Sequence, residues 1–341
     1  MDNLNNLPSE IISDVLTRLP AQSVLDGKLV SKIWRDLIKH PLFYKMHTNR
    51  LINHSATSAY STDSGEFGFL ALAENKKFYY FEYFGNRKRP IRISLTPPIQ
   101  YYEYTYVGSF NGLICLRGVG ENICIYNPMT KEYVFLPHHK IDLNRIDQRW
   151  SGFGYLPSTN EYKVVLMYKV PKFVVVMVYT LGSGNGWRTI GEFKLKSDYV
   201  FRGNGVFANG ALYWMHREKR TILVFDLADE MFRDHLSTPP LPTDSSLGSF
   251  GGFLFSAHGC FNQVTKKYMC SELWLYKKKN DNYHAKEQDQ HQSFGWTKDL
   301  MAAANIPLVL KKSGWVSVFP HKNTFVSLED LGEEGAQIMQ R

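Results

Sequence analysis

Apolar positions at the front of the chain recur with a helical period. Between residues 7 and 49 they stand three and four positions apart, and Pro20 and Pro41 interrupt the runs. Pro8 suits the first turn of a helix, and Glu10 complements the helix dipole there. The first run consists of Ile11, Ile12, Val15, Leu16 and Leu19. The pattern predicts three or four short helices within about 45 residues.

The segment "KLVSKIWRDLIKH", residues 28–40, carries more apolar side chains than one buried face needs. On a helical wheel they cover an arc of about 180°, whereas a surface helix needs about 100° to face its own core. A second surface must therefore cover the remainder. Either a partner protein or the chain's own β domain could provide it, and the excess favours a partner.

From about residue 66 the pattern changes to short strands separated by Gly, Asn and Pro turns. A glycine-opened strand recurs at residues 108, 152, 205 and 248. These starts lie close to the roughly 40–50-residue spacing of four-stranded propeller blades. A hairpin with an aromatic returning strand recurs as "IYNPMTKEYVFLP", "VYTLGSGNGWRTI", "VFDLADEMFRD" and "LWLYKKKN…FGWTKDL". A β-sandwich built from similar hairpins is the alternative to a propeller.

Composition and charge narrow the function classes. The chain has 341 residues and a net charge of +8, but its basic residues are scattered, so we expect no nucleic-acid surface. No C-x₂-C spacing joins its four cysteines, and we expect reduced thiols and no metal site. No secretory pattern opens the sequence, and Lys and Pro interrupt its most apolar stretch. We therefore expect a cytoplasmic or nuclear protein with no membrane span.

The sequence offers no recognisable catalytic constellation. It contains no G-x-S-x-G elbow, no H-E-x-x-H and no P-loop. The glycine-rich run 182–186 is explained by a hairpin turn, because no helix follows it. His138 and His139 have no companion carboxylate nearby in sequence. We expect a protein that is not an enzyme and uses no cofactor.

Residues 7–43, "LPSEIISDVLTRLPAQSVLDGKLVSKIWRDLIKHPLF", resemble the F-box. The Leu-Pro-x-Glu opening, the Arg-Leu-Pro stop, the Val-x-Lys-x-Trp-Arg stretch and the terminal Pro-x-Phe stand in that family's order. The later segments "GFGYLPSTNEYKVV", "GVFANGALYWM" and "ILVFDLADEMF", with the four hairpins, resemble the F-box-associated, kelch-like domain of plant F-box proteins, including the self-incompatibility-locus type.

The resemblance implies a mainly β protein with a small α N-terminal domain. We expect a helical F-box at residues 4–49, a kelch-like β-propeller at residues 65–328 and an acidic tail at residues 329–341. Family members usually continue through further strands after the segment matching "GWVSVFP". This leaves open an incomplete last blade.

By resemblance, the chain is the substrate-recognition subunit of an SCF-type (Skp–cullin–F-box) ubiquitin ligase. The F-box docks on a Skp-type adaptor, which links it to cullin–RING machinery, and the β domain holds an unidentified target protein for ubiquitination. An F-box protein that binds or sequesters a partner without ubiquitin transfer is the alternative. The adaptor-facing residues that the resemblance implies are Leu7, Pro8, Ile11, Ile12, Leu16, Leu19, Val30, Trp34 and Leu37.

The resemblance also divides the arc of residues 28–40 into two faces. Leu29 and Ile33 are expected to face the core of the helical region, and Leu37 to lie between the faces. Trp34 is the expected hot spot, because truncation of a buried aromatic anchor can cost over 2 kcal/mol at an interface. The residues expected to face the partner are Val30, Trp34 and Ile38.

Overall fold

The computed structural model describes most of the chain. The described residues are 7–57, 66–73, 78–84, 91–95, 97–99, 104–139, 141, 146–194, 200–250, 252–262, 267–278, 294–298 and 315–339. Two compact units divide the chain. One consists of Met1–Lys140, Tyr179–Trp187 and Val318–Arg341, and the other of Ile141–Val178 and Arg188–Ser317.

A helical head, residues 7–57, opens the first unit. Its helices are α1 (Ser9–Thr17), α2 (Ala21–Gly27), α3 (Lys32–Lys39) and α4 (Pro41–Thr57). Pro8 and Pro20 are the N-cap residues of α1 and α2, so Pro8 lies just before its helix and not in the first turn, whereas Pro20 ends the first apolar run as predicted. The last helix is longer than expected, since it continues to Thr57 beyond the predicted domain end at residue 49.

The third helix begins four residues later than the pattern at 28–40 suggests. Ser31 takes an extended conformation, and its Oγ accepts a hydrogen bond from the backbone N–H of Trp34 at 3.2 Å. Serine is a preferred N-cap because this bond satisfies an orphan N–H of the first turn. Leu29 and Val30 therefore lie in the turn after α2, where their N–H groups bond to carbonyls of 26 and 27.

The rest of the described chain is almost entirely β-structure. The strands of the first half are β1 (Glu66–Ala73), β2 (Phe78–Phe84), β3 (Ile91–Leu95), β4 (Thr105–Phe110), β5 (Leu113–Arg117), β6 (Ile123–Tyr126), β7 (Glu132–Phe135), β8 (Gln148–Leu156), β9 (Glu161–Lys169), β10 (Val174–Thr180) and β11 (Trp187–Phe193). The later strands are β12 (Val206–Ala208), β13 (Ala211–Met215), β14 (Thr221–Asp226), β15 (Met231–Ser237), β16 (Ser246–Phe250), β17 (Phe253–Asn262), β18 (Lys267–Lys278), β19 (Phe294–Lys298), β20 (Trp315–Pro320) and β21 (Gln337–Ile338).

These strands form five sheets with the antiparallel meander of propeller blades. The strand orders are β20-β1-β2-β3, β21-β7-β6-β5-β4, β11-β10-β9-β8, β12-β13-β14-β15 and β16-β17-β18-β19. The fold class is therefore confirmed as a short helical region followed by a mainly β, five-blade propeller-like arrangement. The last sheet in chain order has four strands, and the C-terminal β20 supplies the fourth strand of the first sheet.

The four predicted hairpins correspond to β6–β7, β10–β11, β14–β15 and β18–β19. Two of their turns are built alike. The side-chain oxygen of Asn127, and that of Asp226, accepts the backbone N–H two residues further on at 2.9 Å. Four residues after each, Lys131 and Glu230 have positive φ values of 63° and 51°. Asn and Asp suit such turns because their side chains mimic a backbone acceptor.

The glycine-opened repeat has two physical causes. Asn111-Gly112 and Asn209-Gly210 turn the β4–β5 and β12–β13 hairpins, with φ of 45° and 83° in the first and 46° and 78° in the second. Two consecutive positive φ values are what a type I′ hairpin turn requires. Gly205, the first glycine of the third repeat, lies under a large ring. A Cβ on Gly205 would meet Trp214 at 2.5 Å.

Each unit has its own apolar interior. In the first unit, side chains of the first two sheets pack around Leu70, Phe78 and Leu116. In the second, the interior is built around Trp214, Phe225 and Val176. The thiols of Cys115 and Cys124 are free and buried in strands, and burial raises the pKa of Cys124 to about 12. The side chains of Cys260 and Cys270 lie outside the described residues.

The C-terminal segment, residues 321–339, differs from the expected acidic tail. Glu333 is buried and accepts hydrogen bonds from the backbone N–H of Gly182 at 2.7 Å and the Tyr179 hydroxyl at 3.2 Å. Gln337 pairs with Tyr133 where β21 extends the second sheet. The prediction of an acidic tail without strands rested on composition. In the structure the Glu333 carboxylate is instead buried against Tyr179 and Gly182.

Candidate partner-binding head

The structure places the nine predicted adaptor-facing residues in three environments. Exposed are Leu7, Pro8, Ile11 and Val30. Half-buried are Leu19, Trp34 and Leu37. Buried in the head are Ile12 and Leu16.

Ile12 and Leu16 do not belong to the candidate adaptor-facing surface, since their side chains are only 3% and 0% exposed. They stand one helical turn apart on α1 and pack in one cluster with Val24 of α2 and Ile38 of α3. Their role is to hold the helices together beneath the surface. A protein partner cannot contact them without unfolding this packing.

The expected division of residues 28–40 into two faces is wrong. Leu29 is 82% exposed and Ile33 is also exposed, although both were expected to face the core. Ile38, expected to face a partner, is completely buried, and half-buried Trp34 and Leu37 pack beside it. The late start of α3 at the Ser31 cap frees Leu29 from the helix. Within α3 the side that carries Ile38 packs into the head cluster, which leaves Ile33 exposed.

The head therefore presents apolar side chains that its own packing does not use. We call these the exposed apolar set: Leu7, Ile11, Val15, Leu29, Val30 and Ile33. Ile11 and Val15 stand four residues apart on one side of α1, and Leu7 lies just before the helix. Val15, Leu29 and Ile33 were absent from the predicted site, although the spacing of Val15 from Ile11 could have revealed it. Leu42 and Met46 form a second exposed pair on α4.

Ion pairs fix the orientation of α1. The Asp14 carboxylate accepts hydrogen bonds from Arg18 at 2.5 Å, one turn along α1, and from Arg50 of α4 at 3.0 Å. Mainly the hydrogen bond from Arg18, aided by Arg50, holds the pKa of Asp14 below its usual value. Asp14 thus links α1 to α4 at the surface of the head.

A second set of contacts fixes the turn that carries Leu29 and Val30. The Nζ of Lys28 donates to the Tyr44 hydroxyl at 3.0 Å and lies 5.6 Å from the centre of that ring. Arg35 Nε donates to the carbonyl of Lys28 at 3.1 Å. Because this turn is tied to α3 and α4, its two exposed apolar side chains are presented on a defined backbone.

The side of α4 that carries Tyr44 and His47 is covered by the protein's own C-terminal segment. The ring of Phe325, from the C-terminal segment, stacks on Tyr44 at a centroid distance of 4.8 Å and meets His47 edge-on at 5.1 Å. Phe325 is 3% exposed and belongs to the same apolar cluster as Phe43. The head's core is therefore completed by a residue from the far end of the chain.

His47 lies at this contact in its neutral form. It is fully buried, and its Nε2 hydrogen-bonds the carbonyl of Leu19 at 2.8 Å. Burial lowers the pKa of His47 more than the bond to Leu19 raises it, and the charge of Lys322 lowers it further. An uncharged imidazole fits between the rings of Phe43 and Phe325 without a counter-ion.

In the second unit, a groove of about 400 Å³ offers a candidate surface for a target. It presents the tyrosine hydroxyls of β13 and β18 beside apolar and charged side chains of β14 and β15. This volume is typical of pockets that hold a small molecule or a side chain. The lining residues are Tyr213, Val224, Arg233, Asp234, His235, Leu236 and Tyr276.

Two family models match this chain in the order of its structural parts. The model described as "F-box-like" matches residues 4–50, which include the whole exposed apolar set. The model described as "F-box associated beta propeller domain" matches residues 69–286, more than half of the chain. The chain belongs to this F-box-associated family.

Curated relatives agree with this assignment. A protein of Arabidopsis thaliana named as an F-box protein, At1g47730, is 29% identical over 267 residues, covering 72% of this chain and 61% of the relative. The F-box protein At3g07870 of the same plant is 26% identical over 346 residues, covering 91% and 76%. The F-box/kelch-repeat protein At3g23880 is 25% identical over 299 residues, covering 82% and 78%.

The matches confirm the predicted resemblance to plant F-box proteins with an F-box-associated domain. This chain spans about three fifths of the length of two of the relatives, 61% and 59%. Residues 287–341, and with them Phe325 and the C-terminal segment, lie outside both matched regions. Within the described residues, the F-box protein has no helix long and apolar enough to cross a membrane.

Proposed function

We propose that this F-box protein is the substrate-recognition subunit of an SCF-type ubiquitin ligase. Its F-box docks on a Skp-type adaptor, and its β domain binds a target protein that the cullin–RING machinery then ubiquitinates. The observation that carries the proposal is the exposed apolar set, held on rigid elements of a matched F-box. Exposed apolar side chains of this kind indicate a protein partner.

The proposed docking surface differs from the one the sequence implied. It consists of the exposed apolar set with Pro8, flanked by the half-buried Leu19, Trp34 and Leu37. Ile12 and Leu16 support it from the core. The chain contributes proximity rather than chemistry: a target held on the β domain meets the ubiquitin-charged enzyme as a bound rather than a free reactant.

If the adaptor binds at this surface, substitutions of its exposed apolar residues should weaken adaptor affinity. The double variant Ile11→Gln with Val30→Gln removes two exposed apolar side chains and leaves the core intact. We expect an adaptor affinity at least tenfold weaker, since burying each side chain contributes about 1.5 kcal/mol. Titration calorimetry with a purified Skp-type adaptor measures the effect.

Met231→Gln is the matched control, because Met231 is similarly exposed but lies on β15. It should bind the adaptor with unchanged affinity. Unchanged affinity of the double variant would contradict the docking surface. Trp34 and Leu37 are unsuitable for this test, because both also pack against the core.

Ubiquitin transfer is tested separately, in a ligase reconstituted from adaptor, cullin, RING protein and E2. A protein captured by the β domain should be ubiquitinated with the wild-type chain and much less with the Ile11→Gln, Val30→Gln variant. Adaptor binding without transfer to any captured protein would support instead an F-box protein that sequesters its partner.

A further inference from the structure

The F-box of this protein is not self-contained. Its four helices leave one side of α4 apolar, and the Phe325 ring covers it by stacking on Tyr44 and meeting His47. The same ring belongs to the core cluster with Ile12 and Ile38. Without it, the core of the F-box would open to water along α4.

Hydrogen bonds to the β domain hold Phe325 in place. The side-chain amide of Asn127, which is fully buried, donates to the carbonyls of Thr324 at 3.1 Å and Val326 at 2.7 Å. The Thr324 hydroxyl donates to the carbonyl of Asn111 at 2.5 Å. The residues on both sides of Phe325 are thus fixed to the second sheet, and its ring is presented to the F-box.

The same stretch of chain also completes the first sheet. The strand β20 ends at Pro320, and the next residue, His321, donates its backbone N–H to the carbonyl of Gly68 on β1 at 2.9 Å. Only glycine fits at residue 68, because a Cβ there would collide with the His321 carbonyl and the Tyr80 ring. The ring that completes the F-box lies only five positions after the end of the strand that completes the sheet.

We propose that completion of the β domain and completion of the F-box are one coupled conformational event. A chain whose C-terminal segment is not docked would carry an F-box with an open core and would bind the adaptor poorly. This device limits adaptor binding to chains whose β domain has folded. The consequence for docking rests on the proposed function, whereas the coupling between the two parts does not.

The coupling requires that variants in the β domain loosen the F-box. Phe325→Ala removes the ring, and Asn127→Ala removes its anchor without touching any F-box residue. Glu334→Ala is the matched control, since Glu334 is an exposed residue of the same segment. Hydrogen–deuterium exchange of the full-length chain measures the protection of α1 and α3 without any partner present.

We expect at least tenfold faster exchange in α1 and α3 for both Phe325→Ala and Asn127→Ala, and no change for Glu334→Ala. Exchange in β12–β15 should stay at its wild-type rate, which excludes general unfolding. Phe325→Leu, which keeps an apolar side chain, should give an intermediate rate. Wild-type exchange rates in α1 and α3 of both alanine variants would overturn the coupling.

Adaptor affinity provides the second measurement. Phe325→Ala should weaken adaptor binding by the factor by which it lowers the population of the closed F-box, although Phe325 lies outside the proposed docking surface. Faster exchange with unchanged adaptor affinity would overturn the link to docking and leave the coupling intact. A wild-type chain that does not bind the adaptor at all would instead contradict the proposed function.

Discussion

At the residue scale, one ion-pair cluster around Glu230 is expected to contribute most to stability, because it includes a buried lysine. Glu230 of the second unit accepts hydrogen bonds from Lys163 at 2.9 Å and, through both oxygens, from Arg188 at 2.7 and 3.0 Å. Burial raises the pKa of Glu230, but the bonds from Arg188 and Lys163 outweigh it and hold the pKa below its usual value. Lys163 is buried, and the Glu230 carboxylate is its closest counter-ion.

Glu230→Gln should therefore destabilise the fold strongly. The substitution leaves the buried ammonium of Lys163 without its closest counter-ion, and breaking a buried pair costs about 3 kcal/mol. Glu272→Gln is the control, because the Glu272–Lys298 pair is exposed and contributes about 0.5 kcal/mol at most. Urea unfolding measures both. Equal effects of the two substitutions would refute the assigned role of Glu230.

His321 makes stability depend on pH. Burial lowers its pKa to about 4, although the hydrogen bond with Asn323 raises it in part. In the unfolded chain a histidine titrates near 6.5, so acid protonates the unfolded state first. The stabilisation is complete above about pH 6.5 and is lost as the pH falls towards 4. Between pH 7 and pH 5 we expect about 2 kcal/mol less stability from this residue.

The unfolding free energy at pH 7 and pH 5 tests this expectation. His321→Gln should reduce the difference between the two pH values, and His138→Gln should leave it unchanged because His138 is exposed. His47, whose pKa is also lowered by burial, acts in the same direction. A wild-type pH dependence in the His321→Gln variant would show that another group is responsible.

At the element scale, the positions of the hairpin turns could be predicted from the sequence, but the buried and exposed faces of α3 could not. The polar hairpin turns depend only on adjacent residues, and the structure has the four predicted hairpins where the pattern indicated. The Asn-Gly turns are equally local, but the sequence analysis interpreted those segments as strand entries. The Ser31 cap starts α3 four residues late and leaves Leu29 outside the helix. Which side of α3 is buried depends on its packing against the other helices, and that packing buries Ile38.

The Asn209-Gly210 turn allows this local chemistry to be measured. Gly210 has a φ of +78°, and a Cβ there would meet nothing within 4 Å, so Gly210→Ala tests backbone strain alone. We expect a loss of about 1 kcal/mol in the free energy of unfolding. Gly191→Ala is the control, because a Cβ on this strand residue makes only ordinary contacts, at 3.5 Å and beyond. A loss of the same size in both variants would contradict the turn assignment.

At the scale of the whole molecule, the order of parts could be predicted and the contact between distant ends could not. The helical start and the β body follow from periodicity and from the F-box resemblance. The placement of Phe325 against Tyr44 does not, because residues nearly three hundred positions apart are brought together by sheet pairing rather than by any local pattern. The acidic composition of residues 329–341 separately concealed the burial of Glu333 and the pairing of β21.

We propose that the F-box uses its two sides differently. In this proposal one side binds the adaptor through the exposed apolar set, whereas the other is covered by the protein's own C-terminal segment. The two sides differ in solvent access before any partner arrives. Leu29 and Val30 are 82% and 64% exposed, whereas Phe43 and Phe325 are each 3% exposed.

Hydroxyl-radical footprinting of the full-length chain, with and without a saturating Skp-type adaptor, tests this claim most directly. We expect labelling of Leu29, Val30 and Ile33 to fall several-fold on binding, while Phe43 and Phe325 stay unlabelled in both states and Met231 stays labelled. Unchanged labelling of Leu29 and Val30 in the bound state, or new labelling of Phe325, would contradict it.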